Sequence, residues 1–169
     1  GEREEDVFSA VELPYIEPEL REDTGEIEAA ERGELPSLIE LSQIRGDLHA
    51  HTSRTDGHAS MEDMVAAAKA KGYEYLAITD HSKHLAMARG LKERDLAEQI
   101  EHIDKLNETL DGFTVLKGIE CDILEDGSLD LSDSILKELD VVVCSVHYKF
   151  NLSRGKQTKR ILKAMDNRY

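Results

Sequence analysis

The sequence predicts an α/β protein in which parallel β-strands alternate with helices that pack outside them. Strand-like and helix-like segments alternate four times after residue 43, which is the pattern of repeated β-α units. The segment Val141–Val146 is almost wholly apolar, as is typical of a strand covered on both faces. Imidazole and carboxylate side chains follow the strand ends, and their placement is the main indication of function.

The first part of the chain differs in composition from the rest. The chain has 169 residues and a formal net charge of −15, a length that predicts one domain, or one domain with an appendage. Residues 1–35 contain 13 acidic and 3 basic side chains, and no proline lies beyond Pro36. We interpret residues 1–43 as an acidic, exposed linker with at most short helices, of which Gly25–Arg32 is a candidate. This segment lacks the clustered Lys and Arg needed for contacts with phosphates.

Several classes of protein are excluded by composition. No apolar run approaches the roughly 18–20 residues that span a bilayer, and the N-terminal residues form no secretory signal. Cys121 and Cys144 do not make a disulfide framework, so the reducing cytoplasm is the expected location. Cys144 lies in the apolar segment of residues 141–146 and is expected to be a buried thiol.

The first two strands of the predicted fold flank an amphipathic helix. Ile44–His51 is predicted to be a short strand that ends in His-Ala-His. Ser60 is suited to cap a helix whose apolar residues recur at helical spacing and which ends before Gly72. Tyr73–Thr79 is rich in aromatic and branched residues and is predicted to be the second strand.

The second half of the chain repeats the alternation. Glu93–Leu110 has apolar residues at helical spacing, and Thr114–Ile119 is rich in branched residues that favour a strand. Ser132–Leu139 is predicted to be a short helix, Asp140–Val146 the fourth strand and Lys156–Met165 the last helix. The prediction is therefore four β-α units within residues 44–169.

Residues able to bind metal recur at the ends of all four strands. Successive ends are separated by 30, 39 and 27 residues, about one β-α unit each. In a parallel sheet or barrel, such residues emerge at one face. These strand-end residues are His49, His51, Asp80, His81, Glu120 and His147.

The chemistry of this set indicates a divalent metal site. Imidazole nitrogen and carboxylate oxygen suit Zn, Mn and Fe, and bound metal would acidify water and polarise a phosphoryl or carbonyl oxygen. Alternation sends both histidines of His49-Ala50-His51 to one face, and the polar loop that follows can turn Asp56 back towards the site. We expect Asp80 to orient His81 rather than to bind metal.

Three other histidines have weaker claims to the site. His84 is placed so that it could line the mouth. His102 lies in an amphipathic helix and is expected to face solvent, and His58 has no supporting pattern.

The strand-end motifs resemble those of the PHP (polymerase and histidinol phosphatase) domain. The matching segments are residues 47–52 with Thr55-Asp56-Gly57, residues 78–82, residues 117–120 and residues 145–147. The most similar version is the C-terminal PHP domain of X-family DNA polymerases (PolX), in which a stretch like Leu13–Arg21 joins the polymerase thumb to the PHP domain.

The resemblance implies a distorted, TIM-like (βα) barrel with a trinuclear Mn or Zn site. It also implies metal-dependent 3′-5′ exonuclease and 3′-end processing of DNA, with DNA 3′ ends reached through the full-length polymerase. Glu120 would bridge two ions. By resemblance, the metal-binding residues are His49, His51, Asp56, His81, Glu120 and His147, and all of these except Asp56 are also assigned as catalytic.

The chain departs from the PHP pattern at its end. A Gly-His-Pro-like motif and an Asp-x-His pair, which complete a PHP site, do not occur before Tyr169. We therefore expect residues 44–169 to form the N-terminal half of a PHP domain, with exposed first and fourth strands that favour self-association and at best partial activity. The alternatives are a histidinol-phosphatase-like or amidohydrolase-type metal hydrolase, or a catalytically incomplete structural half-domain.

Overall fold

A computed structural model describes all 169 residues, which divide into two compact units at residues 43 and 44. The first unit contains two short helices, α1 (Glu5–Ala10) and α2 (Glu26–Glu31), so the predicted short helix forms. Arg21 links separate parts of this unit, because its guanidinium donates to the Glu4 carboxylate at 2.7 Å and to the carbonyl of Ile16. The linker role of this unit stays a prediction.

The second unit is a curled half-barrel of four parallel strands with alternating helices, as predicted. The strands pair in chain order, so the first and the last strand each have one neighbour. No helix of the chain is both long enough and apolar enough to cross a membrane. The strands are β1 (Gly46–Ala50), β2 (Tyr75–Ile78), β3 (Thr114–Asp122) and β4 (Val141–Ser145). The helices are α3 (Met61–Ala70), α4 (Glu93–Asn107), α5 (Asp133–Leu136) and α6 (Arg154–Met165).

Two apolar clusters hold the helices on the sheet. In the first, Ile78 and Val115 of the sheet pack with Val65 of α3 and Ile103 of α4. The second joins Ile119 and Cys121 of β3 to Leu96 of α4 and Leu136 of α5. Burial of these apolar side chains fixes which face of each helix turns inward. The strand ends are thereby held in one rigid frame.

The cap of α3 forms as the sequence predicts. The Ser60 hydroxyl accepts a hydrogen bond from the backbone nitrogen of Asp63 at 3.1 Å, which satisfies one of the free amides at the start of a helix. Gly72 follows the end of the helix with a φ of +79°, a conformation that glycine adopts without strain.

The structure corrects the prediction for β4. Val141, Val142 and Val143 are only half-buried, and Cys144 is exposed rather than buried. The reason is that β4 is an edge strand of this sheet. Apolar composition alone could not distinguish a covered central strand from an edge strand.

Candidate metal centre

All six predicted metal-binding side chains meet at the carboxyl ends of the strands, with Glu120 in the middle. The Glu120 side chain is 7% exposed. Its Oε2 lies 3.1 Å from His49 Nε2, 3.2 Å from His51 Nε2 and 3.3 Å from His81 Nδ1. Its Oε1 lies 3.1 Å from His147 Nε2. One carboxylate therefore touches four imidazoles supplied by the ends of three other strands.

Backbone pairing brings His81 and Glu120 side by side. The Glu120 nitrogen donates to the Asp80 carbonyl at 3.0 Å, and the Ser82 nitrogen donates to the Glu120 carbonyl at 2.9 Å. These bonds continue the pairing of β2 and β3 beyond the end of β2. β3 is three residues longer than predicted, so Glu120 lies inside the strand and not after it.

A bulge in β1 sets the directions of the two histidines of the His-x-His motif. Asp47 pairs with Leu76 and Ala50 with Ile78, so β1 has one residue more than β2 between these pairs. Such a bulge redirects side chains locally. Beyond it, the Thr79 nitrogen donates to the Ala50 carbonyl at 2.8 Å, which fixes the residue between His49 and His51.

Asp56 turns back to the cluster, as the sequence predicts. Its Oδ2 lies 3.2 Å from His81 Nε2 and its Oδ1 lies 3.5 Å from His51 Nδ1. The turn is tight, because a Cβ at Gly57 would lie 2.4 Å from the His51 carbonyl oxygen. Only glycine fits there without moving the backbone.

Asp80 belongs to none of the donor sets, as expected, but it orients a loop and not the His81 ring. Its carboxylate is fully buried and accepts from the Thr52 nitrogen at 2.8 Å, the Thr52 hydroxyl at 2.7 Å and the Thr55 hydroxyl at 2.6 Å. Asp80 therefore organises the loop that carries Asp56, and it makes no hydrogen bond to the His81 ring.

Both His51 and Glu120 are in the protonation state that binds metal at pH 7. Burial and the neighbouring imidazole of His81 hold the pKa of His51 below its usual range, so the ring is neutral. Burial opposes ionisation of Glu120, but hydrogen bonds from Ser145 and His49, together with the nearby imidazoles of His81 and His147, hold the pKa of Glu120 below its usual range. Neutral imidazole and ionised carboxylate are the forms that coordinate divalent metals.

Two buried, unpaired nitrogens in the cluster fit contact with a cation. His51 Nδ1 and His81 Nδ1 are buried without a hydrogen-bond partner, although each lies near a carboxylate oxygen. Buried polar atoms are rarely left unpaired, and a cation would satisfy both. The donors form three overlapping sets, and within each set the donor atoms lie within 4.8 Å of one another. The residues therefore fit bound divalent metal. The sets are His49, His51 and Glu120; His51, Asp56 and His81; and His81, Glu120 and His147.

The remaining histidines lie outside the cluster. The His84 ring packs against the Tyr148 ring at a tilt of 41°, with 4.5 Å between centroids. His102 is half exposed and pairs with Glu62 at 2.9 Å, and His58 is exposed without an ion pair.

Asp122 is a site residue that sequence reasoning missed. It is 1% exposed, and its Oδ1 lies 2.9 Å from His147 Nδ1. This contact fixes the ring so that Nε2 points at Glu120, the arrangement in which a carboxylate orients a metal-binding histidine. The available signal was the alternation Glu120-Cys121-Asp122, which places both acids on one face of an extended segment.

Replacing Asp122 with valine is expected to weaken metal binding by about ten- to a hundredfold, the usual effect of removing a group that orients a ligand. The freed His147 ring can then rotate or change tautomer. Calorimetric titration with Mn²⁺ measures the affinity, and ¹⁵N NMR of the imidazoles reports the tautomer. Asp122→Asn keeps an acceptor oxygen and should retain most of the affinity. Native affinity in the valine variant would contradict the assigned role.

The fold and the cluster define a parallel α/β half-barrel with a histidine–carboxylate centre suited to divalent metal. The PHP domain profile matches residues 47–169, which is most of the chain. The chain therefore belongs to the PHP domain family.

The chain is similar to both polymerases and phosphatases of this family. It is 43% identical over 166 residues to the DNA polymerase/3′-5′ exonuclease PolX of Bacillus subtilis, a match that covers 98% of the chain and 29% of that protein. It is 33% identical over 129 residues to a probable phosphatase of Thermoanaerobacter sp., covering 73% of the chain and 50% of the relative. A probable phosphatase of Shewanella loihica is 37% identical over 103 residues, 60% of the chain and 39% of the relative. The chain thus spans at most half of these relatives.

Proposed function

We propose that this chain forms part of a metal-dependent phosphoesterase that removes nucleotides from DNA 3′ ends, in a protein that also polymerises DNA for base excision repair. The observation that carries the proposal is the single buried carboxylate of Glu120 in contact with four imidazoles. Similarity to PolX along nearly the whole chain, including most of residues 1–43, supports DNA as the substrate. The metal we propose is Mn or Zn, in a trinuclear cluster when the domain is complete.

The exposure of each member suggests its part in the reaction. Glu120 and His81 form the buried floor, whereas the side chains of Asp56 and His49 are 50% and 45% exposed. The scissile phosphate would approach from this open side, which Asp56 and His49 line. When bound, divalent metal supplies a Lewis acid for the phosphoryl oxygens and lowers the pKa of water. The residues of the floor hold the other members in place.

A second candidate is a phosphatase that acts on small phosphate monoesters such as histidinol phosphate. The relatives named as probable phosphatases favour it, because they match 73% and 60% of this chain. The stretch at residues 13–21 favours the polymerase-linked function, because the match to PolX extends through it.

Parallel assays of a 3′-recessed DNA duplex and of histidinol phosphate separate the two candidates. With Mn²⁺ added, we expect release of nucleotides from the DNA 3′ end and little turnover of the monoester. His49→Ala and His51→Ala should each abolish DNA turnover, because each removes a donor from the cluster. Turnover of histidinol phosphate alone would favour the phosphatase, and undiminished DNA turnover in both variants would contradict the assignment of the site.

Two further properties follow as proposals. Both cysteines are free, which fits a cytoplasmic protein. The unpaired edges of β1 and β4 would allow self-association.

A further inference from the structure

The last part of the chain has a charge opposite to that of the whole protein. Residues 147–169 contain seven basic and one acidic side chain, in a protein with a net charge of −15. This segment begins at His147 of the metal cluster. A basic stretch in an otherwise acidic protein favours a local, negatively charged partner.

Part of this charge forms an exposed stripe along α6. Lys156, Lys159 and Lys163 are spaced by three and four residues, so they share one face and span about 10 Å of helix. They line an open cleft of about 330 Å³ whose other lining residues are Leu152, Arg160, Glu125 and Asp126. Lys163 is neutralised by Asp126 at 2.9 Å. Lys156 and Lys159 have no carboxylate within 4.0 Å and are free to bind phosphate.

Buried hydrogen bonds fix this helix to the two segments that leave the cluster. Arg160 is 1% exposed, and its guanidinium donates to the carbonyls of Tyr148 and Leu124, each at 2.9 Å, and to the carbonyl of Ile123. Tyr148 follows His147 directly, and Ile123 follows Asp122. The stripe therefore has a fixed position relative to the metal-binding residues.

An exposed aromatic ring lies in the segment between the cluster and the stripe. Phe150, three residues after His147, is 71% exposed. Gln157 of α6 donates to the carbonyl of Lys149 at 2.8 Å, so the first turns of α6 lie against the residue before Phe150. An exposed aromatic ring in the segment that leads into a helix with unpaired lysines is a combination suited to single-stranded nucleic acid, through base stacking and phosphate contacts.

We propose that the 147–153 loop and α6 form a track for single-stranded nucleic acid that leads to the metal cluster. Lys156 and Lys159 contact successive phosphates, and Phe150 stacks on a base. For the direction of the strand, this proposal rests on the proposed function. It adds that the track would deliver a frayed 3′ end to Glu120.

The test is fluorescence anisotropy with a short fluorescein-labelled single-stranded oligonucleotide, in EDTA, at several salt concentrations. The double variant Lys156→Gln, Lys159→Gln should bind about tenfold more weakly and lower the salt slope by about 1.4, or about 0.7 for each phosphate that is no longer neutralised. Phe150→Ala should weaken binding at least about fivefold, because it removes base stacking, with little change in the slope.

A matched control is Lys69→Gln, Lys71→Gln at the end of α3, which removes the same charge from two exposed lysines without ion pairs. This control should bind like the unmodified chain. Equal weakening by both double variants, or native binding by the α6 variant, would overturn the track. Because EDTA removes metal, the binding result is independent of hydrolysis. Weaker binding by the α6 variant alone supports the track even if the chain does not cleave DNA. DNA cleavage together with unaffected binding by the α6 variant would overturn the track and leave the proposed function standing.

Discussion

Replacing Glu120 with glutamine is expected to release bound metal and to lower phosphoester hydrolysis by more than about a hundredfold, since loss of a group that only orients a ligand already costs up to that much. Glutamine has nearly the same size, so the change removes charge rather than volume. Both oxygens of Glu120 lie within 3.3 Å of imidazole nitrogens. Without the negative charge, no buried carboxylate at the centre of the cluster offsets the charge of the ions.

Elemental analysis after dialysis against Mn²⁺ and a hydrolysis assay measure the two effects. Glu101→Gln is the control, because Glu101 is exposed on α4, outside the cluster and the proposed track, and its ion pair is with Lys105 at 4.0 Å. The control should retain metal and activity. A Glu120→Gln chain that keeps its metal and its rate would show that Glu120 is a structural residue.

Replacing Asp80 with alanine is expected to lower the free energy of unfolding of the metal-free chain by about 3 kcal/mol, because buried donors left without an acceptor cost about 1–3 kcal/mol each. Three donors of Thr52 and Thr55 lose their acceptor. The loop that carries Asp56 would also loosen, so metal affinity should fall although Asp80 is not a ligand.

Urea denaturation of the metal-free chain measures this effect. Asp80→Asn retains one acceptor oxygen and should lie between the alanine variant and the native chain. A loss of stability below about 1 kcal/mol in the alanine variant, the net value of a single ordinary hydrogen bond, would be inconsistent with the network.

Local patterns predicted the order of elements and the gathering of the six side chains. Apolar spacing is a property of neighbouring residues, and the parallel arrangement of strands then carries each strand end to the same face. For this reason His49, Glu120 and His147 could be placed together although they lie far apart in sequence.

The features that the sequence did not reveal depend on contacts between distant residues. Asp80 was expected to orient His81, but its partners Thr52 and Thr55 are 28 and 25 residues away. Asp122 faces His147 across 25 residues. Nothing in the local pattern distinguishes such acids from those that face solvent.

The exposure of Cys144 was missed for a related reason. Burial of a strand depends on the elements beside it, and β4 has a neighbour on one side only. Apolar composition predicts that a strand forms more reliably than it predicts which faces are covered.

The central claim is that the cluster around Glu120 is a divalent metal centre. The most direct test is the number of metal ions bound per folded chain, measured by elemental analysis after saturation with Mn²⁺ or Zn²⁺ and removal of free metal. The three overlapping donor sets predict at least two ions. A chain that is folded by circular dichroism and retains no metal under these conditions would contradict the claim.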